Sequence, residues 1–216
     1  MPPSGRTPAP RKRGRRPRTY AAVLTATSEL LETVPLSELS VAQILSAAGV
    51  GRTSFYEHFS SKEDVVARLL STVAAEIGSG IEPMFHRGDR SPDEAVREGI
   101  ANLVAISSRH APLLLAVTEE WPAVPELRRI WFAIMADASS RLAATIDRDR
   151  ADGIAPAGAD SQALAASLMW TAERALHVAA TGAAPALAEP GALVDPLVQL
   201  FVGSIYGRAV ATVAVP

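Results

Sequence analysis

The 216-residue chain contains no cysteine, which excludes a disulfide framework, a thiolate nucleophile, an iron–sulfur cluster and any zinc site built on cysteine. No apolar run approaches the ~20 residues needed to cross a bilayer, so a transmembrane protein is excluded. Aromatic residues are scarce, at 5%. Lysine is nearly absent: Lys12 and Lys62 supply two of the 21 positive charges and arginine the other 19. The four histidines, His58, His86, His110 and His177, lack metal-ligand spacing, and HExxH, GxSxG and a phosphate-cradling glycine loop are all missing. Glu173 and His177 stand four apart and could act as base and orienter, although a surface or pocket-lining pair is the commoner outcome of that spacing. The sequence therefore calls for no cofactor and gives little basis for an enzyme.

What is present is a division of charge. The first twenty residues carry Arg6, Arg11, Lys12, Arg13, Arg15, Arg16 and Arg18 without one acid, so the formal net charge of −2 hides a +7 arm on a −9 body. A Pro-rich, purely basic segment buries little apolar surface and is expected to be disordered over residues 1–17. Its use is attraction to a polyanion. An anionic membrane would want an apolar helix face beside the charges, which MPPSGRTPAPRKRGRRPR lacks, so DNA is the favoured partner and membrane is not.

After the arm, the apolar positions follow helical periodicity with breaks at Gly, Pro or capping residues, and no strand is apparent, so the fold class is all-α. Tyr20, Leu24, Thr27, Leu31 and Val34 predict a first helix over 18–34, ended by Pro35. Ser40 with Gln43 is a capping box opening a short second helix. Gly49 permits a sharp turn, and a third helix runs from Gly51 or Arg52 to His58 with Phe55 and Phe59 inward. Ser60 with Glu63 reads as another capping box, opening a fourth helix with the stripe Val66, Leu69, Leu70, Val73 and Ile77. Residues 78–90 read as a linker. Ser91 and Glu94 then cap a fifth helix to Ser108, followed by helices over 113–117, 124–151, 161–181 and 193–211. Gly153 and Gly182 are C-terminal stops.

Three short helices, the second and third joined by a glycine turn, have the layout of a helix-turn-helix unit. With Phe55 and Phe59 inward, Arg52, Thr53 and Tyr56 share the outer face and His58 its edge. Arg52 suits guanine or phosphate, Thr53 a thymine methyl or base edge, and Tyr56 and His58 phosphate oxygens. Ser40 and Lys62 stand at helix N-termini that favour an anion. Arg13, Arg15, Arg16 and Arg18 extend the basic surface. Glu57 fits poorly unless it turns aside or accepts from a cytosine amine.

The run LSELSVAQILSAAGVGRTSFYEHFSSKEDVVARLL resembles the N-terminal signature of the TetR family of transcriptional regulators. It departs from that pattern at Leu45, where the family usually has Ala, and at Gly51, often Ser. The resemblance implies that Arg52, Thr53, Ser54, Tyr56, His58 and Lys62 lie at DNA-contacting positions. It further implies an all-helical homodimer with a divergent C-terminal ligand domain, and repression relieved by a small molecule. The domains expected are a helix-turn-helix unit over 18–64 and a ligand-binding and dimerisation domain over 65–216. The segments ELRRIWFAIM, IDRDRADGIAP, AERAL and SIYG are similar to a branch of that family, the mycobacterial repressors of ethionamide activation, which implies a ligand tunnel near Trp131, Met135, Glu173 and Phe201.

Most large aromatic and sulfur side chains fall in the C-terminal two thirds, among small Ala neighbours. Two readings follow: ordinary core packing, or a cavity lined by Ile100, Trp121, Trp131, Met135, Met169, Trp170, Glu173, His177 and Phe201. Similarly, Ala172, Ala175 and Ala179 with Leu197 and Ile205 suit either close helix approach in a dimer bundle or burial inside one subunit. The function expected is a cytoplasmic, ligand-responsive repressor binding a pseudo-palindromic operator as a homodimer. The alternative is a small-molecule-binding or enzymatic helical domain whose basic arm has no role.

Overall fold

A computed structural model describes residues 15–207, which form nine α-helices and no strand. Residues 1–14, with Arg13 and most of the basic arm, and residues 208–216 lie outside the described part. Helix α1 (Arg15–Leu30) begins earlier than expected. Residues 15–17, assigned to a disordered arm, are its first turn, where Pro17 lacks only an N–H that would have had no intrahelical partner. The helix also stops short of Val34. Its last residues wind into hydrogen-bonded turns, Thr33 N–H to Leu30 O and Val34 N–H to Leu30 O, because Pro35 disfavours α geometry in the residue before it.

The chain divides into two compact units, one ending at Arg68 and one beginning at Leu69. The first holds α1, α2 (Val41–Ala48), α3 (Arg52–Tyr56) and the start of α4 (Lys62–Gly80). The Ser40 box forms as read: Gln43 N–H donates to Ser40 Oγ, and the Gln43 side chain reaches back to Ser40 N–H at 2.8 Å. Gly49 ends α2 at φ 63°, the left-handed region where a Cβ would be strained. The box before α4 is shifted by one residue. Asp64 N–H donates to Ser61 Oγ at 3.2 Å and the Asp64 carboxylate accepts from Ser60 N–H at 2.9 Å, so Ser61 and Asp64, rather than Ser60 and Glu63, cap the helix. Val23, Ile44, Phe55, Phe59, Val65 and Val66 form the buried core of this unit.

The second unit is built on α5 (Pro92–Arg109), which packs against α9 (Val194–Tyr206), while α6 (Ala111–Glu120) packs on α8 (Ser161–Ala180) and α7 (Pro125–Ala151) lies against α8. The Ser91 and Glu94 capping box is present. Helix α9 ends at Tyr206, stopped by Gly207 at φ 64° rather than continuing to residue 211. Among the described residues no single helix is long and apolar enough to cross a membrane, and the apolar pair α5 and α6 turns through 83° at its junction.

Residues 78–90 are not a linker. Ile81, Met84 and Phe85 are buried, and a 3-10 turn over Glu82–Met84 presses on α5 so closely that a Cβ on Gly99 would meet Met84 Cγ at 2.2 Å. The same segment carries Arg87, whose Nη1 lies 2.7 Å from both oxygens of the fully buried Asp149. Tyr206 O–H donates to that carboxylate at 2.8 Å, so one buried acid ties the segment to the ends of α7 and α9.

Candidate nucleic-acid interface and interior cavity

Helix α3 has only five residues and no side-chain cap at Gly51, so its own hydrogen bonds cannot hold it. Aromatic packing does. Phe55 and Phe59 are buried with ring centroids 5.5 Å apart, Tyr20 of α1 stacks on Phe59 at 5.1 Å, and His58 meets the edge of Tyr20 at 6.1 Å. This fixes the rotation of α3 and leaves Arg52, Thr53, Tyr56 and Glu57 exposed, with Ser54 and His58 half-buried at the margins. Tyr56 is 50% exposed, the most open large apolar side chain among the described residues. Arg52, Thr53 and Tyr56 are the outward set read from the sequence.

Two further sequence candidates have their protons already committed. Ser40 is exposed, but its hydroxyl donates to Gln43 Oε1 at 2.7 Å within the capping box. The ammonium of Lys62 donates to three carbonyls, Leu36 O at 2.7 Å, Leu39 O at 2.7 Å and Ser37 O at 3.3 Å. Lys62 thus pins the turn before α2 to the start of α4, and reaching a phosphate would cost it one of these bonds. Spacing gave no sign of this role, because the three acceptors lie 23 to 26 residues away. Arg18 is exposed, and Arg15 and Arg16 belong to the first turn of α1.

The second unit holds a partly open cavity of about 750 Å³, within the range that accommodates a drug-sized molecule. Trp131, Met135, Met169, Glu173 and His177 line it as expected. Ile100, Trp121, Trp170 and Phe201 do not. Ile100 and Phe201 are fully buried in the core of α5 and α9. Trp121 and Trp170 instead flank Phe132, 5.2 and 5.5 Å from its ring, and Phe132 is 45% exposed. Periodicity could not make the distinction, since a helix packed on several sides has more than one apolar face. Sequence reasoning also missed Leu70 and Ala74 of α4, Ser107 of α5 and Thr118 of α6, which complete the wall.

Three of the five residues assigned to a dimer interface face inward. Ala172 is fully buried and lines the cavity, and Leu197 and Ile205 are buried within their own unit. Ala175 and Ala179 are half-buried, and Ala179 also borders the cavity.

The polar groups of the cavity are few. His177 Nδ1 lies 2.9 Å from Thr118 Oγ1, whose single proton is directed at Leu114 O, 2.9 Å away, leaving a lone pair for the imidazole N–H. Burial depresses the His177 pKa, with the Arg174 charge adding to the effect. Burial raises that of Glu173, and Arg174 partly offsets the rise. The two residues four apart do not pair with each other: Glu173 has Arg174 at 3.6 Å and His177 has Thr118.

A helix-turn-helix unit with an outward Arg, Thr and Tyr, continued into a helical unit around an apolar cavity, has the layout of a DNA-binding regulator. Comparison with known proteins agrees. Residues 23–69 match the model of bacterial regulatory proteins of the tetR family, and residues 96–207 match the C-terminal domain of the transcriptional regulator EthR. The HTH-type transcriptional regulator EthR of Mycolicibacterium smegmatis is 32% identical over 187 residues, 87% of this chain and 86% of that protein. Its namesake in Mycobacterium tuberculosis is 30% identical over 188 residues, 87% of each chain. A transcriptional regulator of Rhodococcus sp. superposes with a TM-score of 0.67 at 24% identity, covering 88% of this chain and 95% of that one, and a TetR-family regulator of Agrobacterium tumefaciens with 0.66 at 22%, covering 85% and 97%. The chain belongs to the TetR family of transcriptional regulators and is EthR-like over its C-terminal half. Homodimers and small-molecule binding are typical of that family.

Proposed function

We propose that this protein is a cytoplasmic repressor that binds a pseudo-palindromic operator as a homodimer and is released by a hydrophobic small molecule. The observation that carries the reading is the outward set Arg52, Thr53 and Tyr56 on a helix locked by buried Phe55 and Phe59. Arg52 would fork onto guanine or phosphate, and Thr53 and Tyr56 would contact a base edge and a phosphate. Ser54, His58 and the arginines at 13, 15, 16 and 18 would add backbone contacts. Lys62 would act by holding the unit's shape, and Ser40 by capping α2.

The effector would enter the cavity among Trp131, Met135, Met169, Glu173 and His177. Helix α4 supports the coupling: its first residues close the helix-turn-helix unit through Lys62, and Leu70 and Ala74 further along it line the cavity. A ligand would release DNA only through its differential affinity for the two conformations. For the dimer, the outward residues of α8 and α9 replace the inward ones first assigned. Ala163, Ser167 and Thr171 with Gly203 and Ser204 form small, exposed positions that suit close helix approach between subunits, and Leu200 adds an exposed apolar side chain beside them.

The test is binding of the purified protein to DNA from its own upstream intergenic region at two salt concentrations, beside Arg52→Ala. Saturable, competitor-resistant binding lost in the variant is the expected result. Weak binding that vanishes with salt equally in both proteins would refute the assignment.

A further inference from the structure

The cavity carries its own indication of ligand chemistry. Among the described residues that line it, two buried side-chain atoms lack a hydrogen-bond partner: Nε1 of Trp131 on α7 and Oε2 of Glu173 on α8. Both side chains are more than nine-tenths buried, Trp131 at 7% and Glu173 at 8% exposure. Among the other polar neighbours, Thr118 is taken up by His177 and Ser108 by Val104 O. A buried donor and a buried acceptor without partners are costly, and native proteins rarely keep such atoms without a use.

We propose that the cavity selects an apolar molecule with an uncharged amide head group, whose carbonyl accepts from the Trp131 indole N–H and whose N–H donates to Glu173. The proposal rests on the effector reading above and narrows it. One group satisfies both orphaned atoms, and the apolar remainder fits the wall of Leu, Ile, Ala and Met side chains. A carboxylate head would face the Glu173 charge. An ammonium head has no acceptor for the indole N–H, and the Arg174 guanidinium, 3.6 Å from the same Glu173 oxygen, already supplies positive charge there and would repel a second cation. A ketone or ester accepts from Trp131 but leaves Glu173 without a donor.

Isothermal titration of the full-length protein at about pH 8 with decanamide, 2-undecanone, decanoate and decylammonium tests the proposal, because the amide and the methyl ketone have nearly the same shape. Decanamide should bind about tenfold more tightly than 2-undecanone, the size of one hydrogen bond to a charged group, with decanoate weaker still. Trp131→Phe should lower decanamide affinity about tenfold, and Glu173→Leu should erase the preference of amide over ketone. Both variants should still bind 2-undecanone, which shows that the cavity has folded. Equal affinity of the amide and the ketone in the native protein would overturn the proposal while leaving the effector reading intact. Tighter binding of decylammonium than of decanamide, lost in Glu173→Gln, would overturn it in favour of a cation site. Failure of every probe to bind would overturn the effector reading as well.

Discussion

Replacing Arg87 with Met should destabilise the second unit by more than any surface change, because it leaves the Asp149 carboxylate buried without its cation. Asp149 is fully buried, and the Arg87 side chain is 20% exposed. Of the side-chain contacts holding the carboxylate, the Tyr206 hydroxyl would remain. Removing one partner of a buried ion pair costs about 3–5 kcal/mol, and the partial exposure of Arg87, which lets water approach, places this case near 3 kcal/mol. For a protein of this size that lowers Tm by about 6–12 °C. Asp149→Asn should cost less, about 1–2 kcal/mol, since it removes the buried charge, keeps an acceptor for Tyr206, and leaves an arginine that can reach solvent. The hydrogen bond that Arg87 donates to Asp149 raises the Arg87 pKa. A base with a raised folded pKa loses its contribution only as pH climbs towards that value, far above neutrality, so the penalty should be equal at pH 6.5 and 8.5. Urea unfolding followed by tryptophan fluorescence is the assay, because Trp121, Trp131 and Trp170 all lie in the second unit. A loss below about 1 kcal/mol for Arg87→Met, or a larger loss for Asp149→Asn, would refute the reasoning.

Gly99→Ala should cost about 1–3 kcal/mol in the same assay by driving a Cβ into Met84, with Met84→Ala in that background recovering part of it; an unchanged midpoint would show that the turn has room to move. Ser40→Ala should lower the stability of the first unit by about 1 kcal/mol through loss of the α2 cap, read as faster amide exchange in α2. Burial raises the Glu173 pKa, so the folded state binds its proton more tightly than the unfolded chain, and stability falls as pH rises through that range. Glu173→Gln should therefore be more stable than the native protein at pH 8, by a margin that narrows toward pH 4.5. His177, depressed in both proteins, contributes equally to each. A margin independent of pH would contradict the assignment.

The helices and their punctuation were legible locally. Ser40 with Gln43, Ser91 with Glu94, and the left-handed glycines at 49, 153 and 182 each work through atoms a few residues apart. The exposed face of α3 was legible for the same reason: Phe55 and Phe59 on one side of a single turn force Arg52, Thr53 and Tyr56 to the other. Residues 78–90 misled because a Gly, Pro and charge-rich segment reads as a loop, whereas its buried Ile81, Met84 and Phe85 find their partners on α5 and α7 and its Arg87 finds an acid 62 residues on.

By itself, then, the sequence determined the all-helical class, the helix-turn-helix order and the outward side chains of α3, because all of these follow from spacing within one or two turns of chain. Tertiary structure alone decided that Lys62 clamps a turn, that Asp149 joins three segments, and that Ala172 and Glu173 border a cavity that Ile100 and Phe201 do not reach. In an all-helical unit most helices touch neighbours on several sides, so an apolar face is equally suited to core, cavity or partner until the other helices are in place.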